Sequence, residues 1–179
     1  ALWSDTDSDG WADLLVTCDW GPVKLFRNRA GKSFEQAPDE ETGFVNFTGW
    51  FNGINGGDID NDGDIDYVVP NLGRNTQYHA SVEKPELIFF GDFEGKGKTN
   101  IVEALFEQVN GKTVCYPRRG KSCSTHAMPS LGRIPTYDAF AKATLPEIYG
   151  IDTLQEALLL KATNLDSLVL MNDGEGHFE

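Results

Sequence analysis

Short apolar runs recur along the chain, and three of them are entered through a polar, acidic loop. Leu14-Leu-Val16 follows the loop Asp5–Asp13, Tyr67-Val-Val69 follows Asp58–Asp66, and Ile101-Val102 follows Asp92–Asn100. Runs of this length, rich in Val, Ile, Leu and Tyr and bounded by Gly and Asp, predict β-strands. A second pattern is independent of the first. Lys24-Leu-Phe-Arg-Asn28 is followed six residues on by Phe34-Glu35, and Leu168-Val-Leu-Met-Asn172 is followed six residues on by Phe178-Glu179. Each predicts a strand, a polar Gly-containing turn and the start of another strand.

One region breaks the pattern. From Pro135 to Lys161 the periodicity turns helical, with Tyr137, Phe140, Ala141 and Leu145 on one face. Pro146 suits the first turn of a second short helix and Gly150 its end. Asp152 is placed to cap a third, with Gln155 in the capping-box position. The stretch before this region, 115–133, reads as irregular and locally basic, with Arg118, Arg119 and Lys121. The expected fold is all-β with a small helical insertion, a partial β-propeller. A single fragment over 1–179 would carry blades at about 1–38, 39–90 and 91–179, with the loop and helical insertion at 115–161. That is about two and a half four-stranded blades, whereas a closed propeller needs about four or more. The chain therefore reads as an excerpt, or as a piece that joins the remaining blades or other copies of itself. Ala1, without a Met or a signal-like segment, fits a trimmed piece.

Charge sharpens this picture. The net charge is -13, but nine of the 28 acids lie in the first two loops, leaving 15 basic against 19 acidic residues elsewhere. The acidity is local, and no broad basic face exists for duplex nucleic acid. No apolar run approaches the ~20 residues of a membrane-spanning helix. Cys18, Cys115 and Cys123 form no CxxC pair. Either Cys115 and Cys123 close a disulfide across a loop, or all three are free or buried thiols. His79, His126 and His177 are scattered, with no HExxH spacing.

The two full loops point to calcium, a hard cation that takes about six to eight oxygens. Asp5, Asp7 and Asp9, and likewise Asp58, Asp60 and Asp62, stand at positions 1, 3 and 5. Gly10 and Gly63 permit the turn at position 6. Position 7, Trp11 or Asp64, offers a backbone carbonyl, and Asp13 or Asp66 closes the cage at position 9. Four carboxylates so close repel one another unless a cation holds them. An EF-hand would need Glu at position 12 and flanking helices, but Val16 and Val69 stand there, before strand-forming residues. The competing reading is a plain acidic turn, since Asp-Gly is common in turns; two near-identical copies argue against it. The third loop is degenerate. It offers Asp92, Glu94, Lys96 and Asn100 at positions 1, 3, 5 and 9, and Lys96 is expected to replace the metal as an internal cation.

At these residues the chain resembles the FG-GAP/VCBS repeat family, whose blades build propellers like the integrin α-subunit head. The pattern Gly-Asp-x-Asp-x-Asp-Gly-x-x-Asp is met fully by Gly57–Asp66, without the leading Gly by Asp5–Asp13, and in part by Gly91–Asn100. The Asn28/Phe34 and Asn172/Phe178 hairpins are also similar to VCBS-type hairpins. The resemblance implies two calcium sites, a propeller, and an extracellular or periplasmic setting of the bacterial secreted or envelope type. It supplies no single activity.

The function expected from this is a non-enzymatic calcium-binding module for a protein or glycan ligand, or for adhesion. The alternatives are a fragment of a catalytic propeller (a polysaccharide lyase or hydrolase) and a structural spacer in a long surface protein. Trp3, Trp11, Trp20 and Trp50 are either sugar platforms or core packing. Ser122, Cys123, Ser124 and His126 are close in sequence but match no nucleophile motif. Asn46-Phe47-Thr48 is a glycosylation sequon in a eukaryotic source and a chance match in a bacterial one.

Overall fold

The computed structural model describes residues 1–44 and 48–179; Asn46 and Phe47 of the sequon lie outside the described residues. The chain divides into two units, residues 1–80 with 162–179, and residues 81–161. In chain order the first unit contributes β1 (Leu2–Ser4), β2 (Asp13–Thr17), β3 (Gly21–Asn28), β4 (Phe34–Gln36), the short helix α1 (Asp39–Thr42), β5 (Thr48–Gly49), β6 (Asn55–Gly57) and β7 (Asp66–Val69). The second contributes β8 (Glu86–Gly91), β9 (Asn100–Val109) and β10 (Lys112–Pro117), then α2 (Lys121–Ala127) and a 3-10 turn (Pro129–Arg133). Helices α3 (Tyr137–Lys142), α4 (Leu145–Tyr149) and α5 (Ile151–Glu156) follow, then β11 (Leu158–Ala162), and β12 (Leu168–Leu170) belongs again to the first unit.

In the first unit, β1 to β4 pair antiparallel in chain order, and β5 pairs with the start of β3. A second sheet has the order β12-β7-β6, with Val169 opposite Val68 and Gly56 opposite Tyr67. The two hairpins read from the sequence close alike: Asn28 pairs with Phe34 and Asn172 with Phe178. Alternation fixes which face is inside. Along β3, Val23 and Leu25 are buried while Lys24 and Phe26 are not. Leu15, Val23, Leu25, Phe44, Phe51, Tyr67, Val69, Leu170 and Phe178 form this unit's core.

The sheets group the chain differently from the segments 39–90 and 91–179. The hairpin that begins at Leu168 completes the sheet of β7, so residues 70–167 run between two neighbouring strands of one sheet. The corresponding connection from β2 to β3 takes only Cys18, Asp19 and Trp20. The long excursion carries its own core. There β10-β9-β8-β11 form an open sheet whose Leu87, Phe89, Val102 and Ala104 pack with Leu131, Phe140, Leu145, Ile148 and Leu154 from the helical segment. The protein is thus mostly β, with open sheets and a few short helices.

Two helices start with capped first turns, and Pro146 lies in the first turn of α4 as expected. The Thr136 hydroxyl accepts from the Ala139 N–H at 3.0 Å at the head of α3, and Thr144 with Glu147 forms a capping box on α4. The third differs. Gly150 ends α4 and also begins α5, so Asp152 lies inside the first turn and is not the cap. The stretch read as irregular holds α2 and the 3-10 turn. These segments bury Ser124, Met128 and Leu131, too few apolar positions to mark a helical period. Trp20 and Trp50 pack on each other at 4.9 Å and on Tyr78, whereas Trp3 and Trp11 are exposed.

All three thiols are free. Burial pushes the Cys115 thiol up to about 11, so it stays protonated at neutral and mildly alkaline pH. Cys123 is exposed on α2. Iodoacetamide at pH 8 is therefore expected to alkylate Cys123 well before Cys115 in the native protein, as read by peptide mass spectrometry. Equal labelling rates would contradict the buried setting of Cys115.

Two aspartate loops as a candidate metal centre

The loop before β2 and the loop before β7 share one backbone. Position 4, Ser8 or Asn61, has φ of 57° or 65°, and position 6, Gly10 or Gly63, has φ of 88° or 103°. Left-handed residues at both places reverse the chain sharply, and Ser, Asn and Gly are among the residues that tolerate this with local hydrogen bonds. Each turn is braced by its own carboxylates. Asp5 accepts from the Gly10 N–H at 2.9 Å and the Asp9 N–H at 3.2 Å, and Asp9 accepts from the Trp11 N–H at 2.8 Å. In the second loop Asp60 accepts from Asp62 N–H and Asp62 from Asp64 N–H, at 3.2 and 2.9 Å.

The position-9 carboxylates behave differently from the rest. Asp13 and Asp66 are each 1 % exposed. Asp13 accepts from the Thr6 N–H and hydroxyl with one oxygen and from the Asn28 N–H with the other, the last at 2.7 Å. Asp66 accepts from the Ile59 N–H at 2.8 Å and the Asn172 N–H at 2.9 Å. In both loops this residue ties position 2 to the Asn of a hairpin, Asn28 at the end of β3 and Asn172 two residues past β12. The Asn172 amide also donates to the Thr6 carbonyl at 3.1 Å, which joins the two loops through buried groups.

Ligand-type oxygens converge twice. Those of Asp5, Asp7 and Asp9 lie within 4.8 Å of one another, as do those of Asp58, Asp60 and Asp66. Of the other expected ligands, Asp13 stands outside the first group, and Asp62 and Asp64 stand outside the second. Trp11 is exposed. Asp7 also pairs with Arg27 at 2.8 Å, a contact the sequence pattern did not reveal because the partners are 20 residues apart. Its second oxygen, Oδ1, is buried and has no hydrogen-bond donor among the described residues. Partial desolvation raises the Asp60 carboxyl above its usual range, and the Asp62 and Asp66 charges raise it further, against the Asp62 N–H.

The third loop, between β8 and β9, keeps the backbone but only two of the four carboxylates. Gly95 and Gly97 take positive φ of 65° and 74° at the same positions 4 and 6. Asp92 accepts from the Gly97 N–H, as Asp5 does from Gly10, and this bond holds its carboxyl below the usual range. Lys96 lies 3.3 Å from Glu94, whose other oxygen accepts from the Ser130 N–H at 2.8 Å. Asn100 replaces the buried Asp, and its amide donates to the Lys98 carbonyl at 3.4 Å.

Elsewhere, Ser122, Cys123, Ser124 and His126 lie on α2, where the Ser122 hydroxyl meets the Tyr137 hydroxyl at 2.8 Å. No hydrogen bond joins Cys123 to His126 among the described residues. None of the helices described is long and apolar enough to cross a membrane.

A sheet of short strands entered through Asp-x-Asp-x-Asp-Gly loops defines a class of acidic-loop β-repeats by its shape and spacing. Residues 5–69, the stretch that holds both full loops, match the family model of the FG-GAP-like repeat. No curated protein and no solved structure matches the chain.

Proposed function

We propose that this chain is a calcium-stabilised binding module whose two first-unit sheets are blades of an FG-GAP-type propeller. The observation that carries the reading is the buried Asp7 Oδ1, which has no donor among the described residues and lies in a cluster of three carboxylates. A buried carboxylate oxygen without a partner is costly, and a cation shared with Asp5 and Asp9 relieves it. The same convergence in the second loop, without an Arg27 counterpart in its described ion pairs, supports a second site. Asp5, Asp7 and Asp9 would hold one ion, with the Trp11 carbonyl and Asp13 completing the set. Asp58, Asp60 and Asp66 would hold the other, with Asp62 and the Asp64 carbonyl in reach by loop position. Calcium would supply charge neutralisation and rigidity at the sheet ends, and no chemistry on a substrate.

Module-type calcium sites bind in the range of about 0.1–1 mM, which suits an extracellular or periplasmic setting. The function is recognition of a protein or glycan ligand, without turnover, by a piece of a larger propeller or of an assembly of copies.

The test is thermal melting. With calcium at about a hundredfold excess over its dissociation constant, one site stabilises the native state by about 2.7 kcal/mol. Tm is expected to rise with calcium and fall with a chelator, and magnesium is expected to substitute poorly because it demands rigid octahedral geometry. A melting curve unmoved by either calcium or chelator overturns the reading. A nanomolar constant would remove the argument for an exported setting.

A further inference from the structure

We propose, resting on the reading of both loops as calcium sites, that Arg27 ranks them. Its guanidinium holds the first loop at a lower calcium affinity than the second, so the second loop fills first.

The two loops have equivalent frames. Asp13 holds the Asn28 N–H as Asp66 holds the Asn172 N–H, and Phe34 and Phe178 pair with those asparagines. The residue before each asparagine is therefore the same position of the two hairpins. It is Arg27 in the first and Met171 in the second. One side-chain difference places a cation at one loop and a neutral thioether at the other.

The cation is fixed in place. Arg27 Nη1 lies 2.8 Å from Asp7 Oδ2, and both side chains are largely buried. Arg27 Nη2 donates to the Glu175 carbonyl at 3.2 Å and to the Gly176 carbonyl at 3.4 Å, in the turn of the second hairpin. The turn fits closely around it, since a Cβ at Gly176 would lie 3.0 Å from Nη2. Held from two sides, the guanidinium stays beside Asp7 when an ion arrives. Asp7 Oδ1 is left for that ion, on a carboxylate whose charge a monocation already partly offsets.

Calcium affinity follows the charge of the ligand set and the rigidity of the site. Rigidity is shared, because both loops have the same left-handed turn residues. Charge is not shared. In the first loop four carboxylates, Asp5, Asp7, Asp9 and Asp13, stand against one guanidinium. Arg29 also feels Asp7 and Asp13, but Glu35 pairs with it at 2.8 Å, so that pair adds no net charge. The second loop has five carboxylates, because Asp64 stands where Trp11 stands in the first. None of the five has a cation within salt-bridge distance among the described residues. The acids of the second hairpin's turn, Asp173 and Glu175, do not separate the loops. That turn borders the first loop through Arg27 and the second through Asp64, which lies against Gly174.

The experiment is calorimetric titration of the intact, chelator-stripped chain with calcium chloride. Two steps are expected, about tenfold or more apart in affinity. Asp60→Ala is expected to remove the tighter step and Asp9→Ala the weaker. Arg27→Met is expected to tighten the weaker step about tenfold and to leave the tighter one in place, while Arg27→Lys keeps the weaker step weak. A merely structural prop would weaken binding when removed, so the direction of the change separates the two roles. Where Arg27→Met does not fold in chelator, Arg27→Gln carries the same expectation, with an amide donor kept for the turn carbonyls. Melting gives a second readout. In chelator Arg27→Met melts below the parent chain, because Asp7 loses its counter-charge, and saturating calcium narrows that gap. Equal constants for the two steps, a tighter step that belongs to the first loop, or an Arg27→Met chain whose weaker step is unchanged or weakened would each overturn the ranking. So would a melting gap that calcium leaves unchanged or widens. A chain that binds two ions equally loses the ranking and keeps the module reading, whereas one that binds no calcium loses both.

Discussion

Replacing Asp66 with Ala is expected to destabilise the protein by about 2–5 kcal/mol in chelator, before any metal is considered. The side chain is 1 % exposed, and its two oxygens accept from Ile59 N–H and Asn172 N–H, which lie on opposite sides of β7 in the chain. Removing the carboxylate leaves both donors without an acceptor, at roughly 1–3 kcal/mol each. Asp66→Asn is not a rescue. One of its two terminal atoms is an NH2 group, which would face an N–H donor. Asp58→Ala provides the contrast. Asp58 is exposed, and such a change should cost no more than about 0.5 kcal/mol in chelator. With calcium present, both variants should lose the second loop's share of the metal-linked rise in Tm. Urea unfolding in chelator decides it: if Asp66→Ala and Asp58→Ala behave alike, the position-9 carboxylate is no structural bracket.

That division of labour could not be read from the loop sequence. The spacing of Asp5, Asp7, Asp9 and Asp13 marks all four as equivalent acids. Which of them points into the protein depends on residues far along the chain, Asn28 for Asp13 and Asn172 for Asp66. The hairpins ending in Asn28 and Asn172 were visible as a separate repeat, and the structure supplies the link between the two patterns. Each hairpin's Asn is what its loop's last Asp holds.

Strand positions and hairpins were legible because each is local: a loop, an apolar run and a turn within about 15 residues. The grouping of strands into sheets was not, because β7 pairs with β12 across about 100 residues and nothing at Val69 announces an interruption. The helical stretch was legible at α4, where Pro146 and Gly150 stand as read, and in part at α3, where Phe140 is buried with Leu145 while Tyr137 and Ala141 of the same expected face are exposed. It failed at α5, where a single glycine serves two helices. The basic stretch 118–121 gave its charge but not its surroundings. The carboxylates that pair with Arg118 and Arg119 come from β8 and β9, earlier in the chain.

Gly43→Ala is expected to cost about 3 kcal/mol or more, for a reason that goes beyond backbone preference. Gly43 ends α1 with φ of 79°, where any other residue pays roughly 1 kcal/mol. Lack of space costs more. A Cβ there would overlap the Phe178 carbonyl oxygen and lie 3.3 Å from its carbon, both backbone atoms that no rotamer change can move. Phe178 cannot drift freely. Its N–H donates to the Thr42 carbonyl at 2.9 Å, and its ring is 2 % exposed and stacked on Phe44 at 5.1 Å. Relieving the clash means parting the end of the second hairpin from α1 and loosening a buried aromatic pair, an overpacking cost of about 1–3 kcal/mol on its own. Gly73→Ala isolates the backbone preference. Gly73 has φ of 83° with nothing within 4 Å of an added Cβ, so it should lose only about 1 kcal/mol. The two variants are compared by urea unfolding under one condition. Equal losses would mean that the approach of Phe178 to Gly43 is looser than the structure has it. A gap of about 2 kcal/mol would show that this contact closes the first unit's core, through the same hairpin whose Asn172 Asp66 holds.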